Sequence, residues 1–225
     1  MIHTEHQRRA YLAALGIDVW VPREQVEPEA EVTVVEAAAA QMGWDQLRDA
    51  VAACTRCPLH EGRTQTVFGV GNRQADLLII GEAPGAEEDR RGEPFVGRAG
   101  KLLDEMLRAV GLQRSDTFIA NILKCRPPNN RDPKAEEAAA CRSYLERQIE
   151  LVQPKIILAV GRVAAQQLLA TDMPVGRLRG TLHYLQQIPL VVTYHPAYLL
   201  RSPIQKRKAW DDLCLASGAL AETRS

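Results

Sequence analysis

The sequence has no excess of charge of either sign. Lys and Arg together number 28, and so do Asp and Glu, so the formal net charge is zero. This balance gives no support to a protein that coats nucleic acid non-specifically. It does not exclude a local basic surface around one site, which is enough for a transient encounter with DNA.

Long apolar runs are also missing. No stretch of about 18 apolar residues is present, so the sequence predicts no membrane span. The first residues, MIHTEHQRRAYLAAL, lack the apolar region and the cleavage site of a secretory signal. We therefore expect a cytoplasmic protein in which the five cysteines are reduced rather than paired in disulfides.

The length of 225 residues allows one domain with a full hydrophobic core. Residues 22–40 are acidic, contain two prolines and show no sustained period, which is typical of a linker. We predict an N-terminal extension and linker over residues 1–43 and the main domain over residues 44–225. The segment RRAYLAALGIDVW predicts a helix ending near Gly16, which either covers part of the core or binds a partner.

From Trp44 onward, short apolar runs alternate with longer amphipathic ones. Four runs have the length and branching of buried strands: residues 76–81, 117–123, 155–161 and 190–196. Helical spacing recurs in residues 99–112, 135–152, 162–170 and 204–216. This alternation predicts a three-layer α/β/α sandwich around a central four-stranded parallel sheet.

Unusual residues follow the ends of these predicted strands. GEAPG follows the first strand, Asn121 lies within the second, and His195 follows the fourth. Ligands of such sheets bind beyond the carboxyl ends of the strands, so this edge is the predicted site. GEAPG matches neither G-x-G-x-x-G nor G-x-x-x-x-G-K-[ST], and a nucleotide-phosphate loop is therefore not favoured.

Four cysteines are candidate metal ligands. Cys54 and Cys57 form a C-x-x-C pair, Cys125 follows the second strand, and Cys141 lies in a helical stretch. Four thiolates suit either zinc or an iron–sulfur cluster, and their spacing does not separate the two. A redox dithiol at the C-x-x-C pair, or small buried apolar residues, are the alternatives. Cys214 is expected to be inert core.

Three segments resemble the motifs of the type 4 uracil-DNA glycosylases. They are GEAPGAEEDRRGEPFVGRAGKLLDEML (81–107), NILKCRPPNNRDP (121–133) and HPAYLLR (195–201). The resemblance covers about residues 44–216. It implies hydrolysis of the N-glycosidic bond of uracil in DNA, with uracil-containing DNA as the partner of an expected monomer. It also implies a [4Fe–4S] cluster held by Cys54, Cys57, Cys125 and Cys141.

The resemblance assigns roles to three residues that lie far apart in the chain. An enzyme of this family must swing the base out of the duplex into a pocket. Phe95 supplies a face on which a pyrimidine stacks. Asn121 offers one acceptor and two donors, which suit uracil and leave unpaired groups against cytosine. His195 donates to O2 of the departing uracil.

The first motif carries the remaining predicted site residues. Glu82 is expected to hold or polarise the attacking water. Ala83 stands where type 1 enzymes carry an Asp general base, so the route of water activation departs from theirs. Gly81 lets backbone N–H groups approach the ligand. Glu88 either closes the pocket against the methyl group of thymine or belongs to a solvated acidic turn.

DNA contacts are expected after His195. Leu199 or Leu200 would fill the space left by the extruded base, and Arg201 would lie near phosphate. Further basic residues flank the motifs and predict a basic rim. They are Arg98, Lys101, Lys124, Arg126, Arg131, Arg177, Arg179, Lys206, Arg207 and Lys208.

Three alternatives share the predicted fold. Type 5 glycosylases have a broader base range, but they would be expected to lack Glu at position 82. A cross-linking relative carries Gln at that position and a His-containing insertion, and this chain has no His between positions 61 and 182. The third alternative is a metal-stabilised DNA-binding module of weak catalytic power, which Ala83 keeps open.

Overall fold

The computed structural model of the chain describes Leu12, Ala14, Leu15 and residues 39–223. The chain divides into two compact units, Met1–Thr33 and Val34–Ser225. Most of the predicted N-terminal helix and linker lies outside the described residues. Within the described part of the chain, no helix has both the length and the apolar character needed to cross a bilayer.

The second unit is built on a six-stranded mixed sheet. Its strands are β1 (Val70–Gly71), β2 (Leu77–Gly81), β3 (Thr117–Asn121), β4 (Ile156–Val160), β5 (Leu182–Leu185) and β6 (Ile188–Thr193). Their order across the sheet is β1-β3-β2-β4-β6-β5. The four central strands are parallel, and β1 and β5 pair antiparallel at the two edges.

Helices connect the strands. The α-helices of this unit from residue 44 onward are α1 (Trp44–Ala52), α2 (Leu59–Gly62), α3 (Ala86–Arg91), α4 (Arg98–Ala109), α5 (Ala135–Val152), α6 (Arg162–Leu169), α7 (Val175–Leu178), α8 (Pro196–Arg201) and α9 (Lys206–Glu222). Short 3-10 turns cover Arg114–Asp116, Pro128–Asn130 and Pro203–Gln205.

Both faces of the sheet are covered, which confirms the predicted α/β/α layers. Side chains alternate along β2: Leu78 and Ile80 pack with α5, α6 and α7, whereas Leu77 and Ile79 pack with α4, α8 and α9. A strand buried on both faces reads as a continuous apolar run, which is why LLII marks β2 in the sequence. The predicted count of four strands was incomplete, because it omitted the two edge strands.

Candidate functional site

A cleft of about 750 Å³ opens at the carboxyl edge of the central strands. The predicted residues Glu82, Ala83, Glu88, Phe95, Asn121, His195 and Arg201 all line it. Because parallel strands present their carboxyl ends at one edge, residues from the ends of β2, β3 and β6 converge there. The structure thus brings together the three side chains for which base stacking, base reading and charge stabilisation were predicted.

Phe95 forms one wall of the cleft. Its ring stacks on the His195 ring, with centroids 5.5 Å apart and planes inclined by 28°. The Phe95 backbone is left-handed, with φ of 54°, an uncommon conformation for a residue with a side chain. Arg114 stabilises this turn by donating to the carbonyl oxygens of Pro94 and Phe95 while it pairs with Asp104 at 3.1 Å.

The position of Asn121 depends on Gly81. The two residues lie opposite each other in the parallel register of β2 and β3. A Cβ atom on Gly81 would lie 2.5 Å from Asn121 Oδ1 and 2.6 Å from Phe95 Cζ, so only glycine lets the amide and the ring meet. Asn121 Oδ1 is buried and has no hydrogen-bond partner among the described residues. A buried acceptor of this kind is costly unless a ligand satisfies it.

His195 is held in one tautomer. It caps α8, and its Nδ1 accepts a hydrogen bond from the Ala197 backbone N–H at 3.1 Å. The proton of the neutral ring is therefore on Nε2, which is left free to donate. Burial, assisted by the Arg201 charge, lowers the pKa of His195 to about 4. The imidazole is consequently neutral near pH 7.

A buried ion pair anchors the strand that presents His195. The carboxylate of Asp212 on α9 accepts from Thr193 Oγ1 at 2.8 Å, from the Gly180 N–H at 3.1 Å and from two nitrogens of Arg179. These contacts fix the end of β6 two residues before His195. The sequence analysis missed this anchor, because an Asp within an amphipathic helix gives no sign of its burial.

Glu88 is not part of a solvated turn, so that alternative is wrong. One oxygen of its carboxylate accepts from the Gly85 N–H at 3.1 Å. The other accepts from the N–H groups of Val96 and Gly97 at 3.0 and 3.1 Å. Glu88 therefore ties the loop after β2 to the segment that follows Phe95. Its predicted contact with a thymine methyl group stays a prediction.

Glu82 lines the cleft with a carboxylate that has no hydrogen bond or ion pair among the described residues. Burial raises the pKa of Glu82, and the nearby charge of Asp132 adds to this effect while Arg162 opposes it. Asp132 itself pairs with Arg162 at 2.5 Å. Both residues line the cleft and were missed in the sequence, where they read as ordinary surface charges.

A second, smaller cavity is lined by Cys54, Cys57, Cys125 and Cys141. Burial raises the pKa of Cys141 to about 11 and also raises that of Cys125. Arg63 opposes this effect on Cys125, because its Nη1 donates to Cys125 Sγ at 3.1 Å. Among the described residues, no group of three or more Cys, His, Asp or Glu is placed to hold a metal ion.

Three of the predicted rim residues are not part of a free basic surface. Lys124 is only 1% exposed and lines the cysteine cavity. Arg179 is committed to Asp212, and Arg131 forms a two-point ion pair with Glu137. The prediction for Lys124 was wrong, since a lone charged side chain is rarely buried and the sequence gives no warning of it.

Helix α8, which begins directly after His195, separates the two leucines. Leu199 is 1% exposed and belongs to the core beneath α8, so it cannot reach DNA. Leu200 is exposed, as are Arg201 and, further on, Ile204 at 84%. Cys214 is exposed rather than part of the core, because it lies on the outer side of α9 next to the buried Leu213.

Comparisons with known proteins agree with this geometry. The family profile of the uracil DNA glycosylase superfamily matches residues 68–214. The chain is 44% identical to a Type-4 uracil-DNA glycosylase of Archaeoglobus fulgidus over 167 residues, which are 71% of this chain and 84% of that protein.

Two further relatives carry the same name. The protein of Thermotoga maritima is 46% identical over 154 residues, which are 68% of this chain and 80% of the relative. That of Pyrobaculum aerophilum is 40% identical over 185 residues, 79% of this chain and 94% of the relative. Residues 68–214, which the family model matches, include the residues that line the cleft and its three converging strands.

Proposed function

Because the chain belongs to the uracil-DNA glycosylase superfamily, we propose that it hydrolyses the bond between uracil and deoxyribose in DNA and leaves an abasic site. The observation that carries this proposal is the meeting of Phe95, Asn121 and His195 in one cleft. Such a cleft accepts a base that has been rotated out of the duplex, since its reactive atom is out of reach inside the stack.

Asn121 recognises the base edge. Its unpaired Oδ1 is an acceptor, and uracil presents a donor there, the N3–H group. Cytosine presents an acceptor at the same ring position, so two lone pairs would face each other in a site without water. A polar site that pairs with one base rejects the other strongly, because the mismatched groups stay buried and unpaired.

His195 stabilises the leaving group. The base departs as an anion whose charge is partly on O2, and the Nε2–H of the neutral imidazole donates to that oxygen. A preorganised donor aimed at a developing charge lowers the barrier more than most other single catalytic effects. The Phe95 ring, stacked on the imidazole, helps to keep the donor aligned.

Glu82 is the carboxylate that is available to stabilise charge on the sugar and to orient the attacking water. Three carboxylates line the cleft, but Glu88 is engaged with three backbone N–H groups and Asp132 is paired with Arg162. As the base leaves, positive charge develops on the sugar, and the Glu82 carboxylate stabilises it and orients the attacking water. Ala83 contributes no base, so the general-base role falls to its neighbour.

Contact with DNA involves the end of α8. Leu200 fills the space left by the rotated base, and Arg201, at the mouth of the cleft, contacts phosphate. The exposed Ile204 adds a second apolar contact close by in the chain. Lys206, Arg207 and Lys208 extend the positive surface from there.

Cys54, Cys57, Cys125 and Cys141 would hold a [4Fe–4S] cluster in the smaller cavity, since four thiolates are the ligand set of such a cluster. This ligand set also agrees with the finding that the described residues form no single-ion site. The bound cluster would link the segment of Cys54 and Cys57 to the end of β3 and to α5.

Excision from defined oligonucleotides tests the proposed function. The protein is incubated with single- and double-stranded DNA containing one U, T, C or hypoxanthine, and alkali then cleaves any abasic site. We expect product from U, none from C and little from T. No product from U with excess protein would favour a DNA-binding module instead, and efficient release of hypoxanthine would place the chain with broader-range enzymes.

The excision rate should decrease as the pH is lowered, in a protonation step whose midpoint lies above the ordinary pKa of a glutamate. Burial, helped by the charge of Asp132, raises the pKa of Glu82, so its carboxylate is neutralised earlier on acidification than an exposed glutamate would be, whereas burial lowers the pKa of His195 to about 4 and keeps that ring neutral. Single-turnover rates across the pH range measure the step. Asp132→Asn should move the midpoint to lower pH, and Glu82→Gln should abolish it; an unchanged profile in Glu82→Gln contradicts the role of Glu82.

A further inference from the structure

Lys124 is a buried cation with no carboxylate partner in the part of the chain that the structure describes. It is 1% exposed, and among the described residues its Nζ forms no ion pair. Instead Nζ donates to the Asn121 carbonyl oxygen at 2.9 Å and to Gln148 Oε1 at 2.6 Å. Burying a charge without an opposite charge is strongly unfavourable, so we expect an anion close to the Lys124 ammonium.

The cysteine cavity supplies that anion. Lys124 lines it, its backbone N–H interacts with the Cys141 sulfur, and its charge lies close to both Cys125 and Cys141. Four thiolates around an iron–sulfur core carry a net negative charge. Arg63 balances part of that charge from the side of Cys125, through its hydrogen bond to Sγ.

We propose that the Lys124 ammonium is the internal counter-cation of the cluster and links it to the base-recognition site, because the same ammonium binds the carbonyl of Asn121. This inference rests on the proposed function, which supplies both the cluster and the role of Asn121. The cluster then does more than join three segments of the chain: its charge holds Lys124 in place, and Lys124 holds the end of β3.

The link to Asn121 is short. Nζ contacts the backbone of the residue whose side chain faces the cleft, and Gln148, the second partner of Nζ, donates its Nε2 to the Phe68 carbonyl oxygen at 2.9 Å. A chain of hydrogen bonds therefore runs from α5 to the strand end that presents the amide. Small displacements of a recognition group reduce rates markedly, so loosening this chain should be visible in catalysis.

Two substitutions separate the charge of Lys124 from its size. Lys124→Met removes the charge and keeps the length, Lys124→Arg keeps the charge, and Lys155→Met on the surface is the matched control. In Lys124→Met we expect less iron per chain, a midpoint potential of the cluster shifted to more negative values, and excision per cluster-loaded molecule reduced on the order of tenfold. Lys124→Arg should retain the wild-type potential, and Lys155→Met should match wild type throughout.

The inference would be overturned if Lys124→Met had the iron content and the midpoint potential of wild type. It would also be overturned if Lys124→Met and Lys124→Arg lost iron and excision activity equally, because packing and not charge would then explain the losses. Unchanged excision in Lys124→Met with a shifted potential would refute the link to Asn121. Wild-type protein without iron, or without uracil excision, would instead refute the proposed function on which the inference rests.

Gln148 gives an independent test that leaves Lys124 in place. Gln148→Glu puts a carboxylate against Nζ, cancels its charge and loses only the Nε2 donor to Phe68, whereas Gln148→Met removes both hydrogen bonds of Gln148 without adding charge. We expect a more negative midpoint potential in Gln148→Glu than in Gln148→Met. Identical potentials in the two variants would overturn the counter-cation role even if neither Lys124 variant yields folded protein.

Discussion

Replacing His195 by Ala is expected to lower the single-turnover rate of uracil excision by about 10²- to 10³-fold, the loss typical when one preorganised donor to a developing anion is removed. The structure explains why this residue acts as a neutral hydrogen-bond donor and not as a general acid. The Ala197 N–H occupies Nδ1 and burial keeps the ring neutral, so Nε2–H is a fixed donor over the working pH range.

His183→Ala is the matched control for this prediction. His183 is partly buried on the edge strand β5 and contacts the Leu178 carbonyl oxygen, outside the residues that line the cleft. Its loss should leave excision within about twofold of wild type, as expected for a substitution remote from the site. A His195→Ala enzyme that is folded by circular dichroism and excises uracil at the wild-type rate would exclude His195 from catalysis.

The convergence of the site could be predicted from sequence because it follows from one rule of sheet architecture. Gly81, Asn121 and His195 each follow or end a buried apolar run, and the carboxyl ends of parallel strands share an edge. Nothing more than the alternation of strands and helices was needed to bring them together. The edge strands escaped detection since β1 has two residues and β5 is largely exposed.

The residues that the sequence could not place are those whose environment is set by tertiary packing. Lys124 and Asp212 are buried charges, and charge in a sequence normally predicts a surface position. Leu199 and Leu200 are adjacent and chemically identical, and only the rotation of α8 decides which faces the core. Arg114, which holds the Phe95 turn, lies outside every motif that the sequence analysis recognised.

Replacing Cys141 by Ser removes one ligand of the proposed cluster and should cause a large loss of stability. Without its fourth ligand the proposed cluster would be lost, and with it the link between Cys57 and Cys125. Closing a loop of that size contributes roughly 4 kcal/mol in the chain-entropy treatment of a cross-link. For a domain of this size that corresponds to a melting temperature lower by about 10 °C. The variant should also lose iron and the broad visible absorbance of the cluster, and its soluble yield should decrease.

Cys214→Ser is the control that makes this result interpretable. Cys214 is exposed on α9, away from the four cavity cysteines, so the same chemical change there should alter neither iron content nor melting temperature. In Cys141→Ser the loss of the cluster also leaves Lys124 without its proposed counter-charge, a further penalty at the end of β3. A Cys141→Ser protein that keeps both its iron and its melting temperature would show that this thiolate is not a ligand, and the metal site would then have to be sought among other side chains.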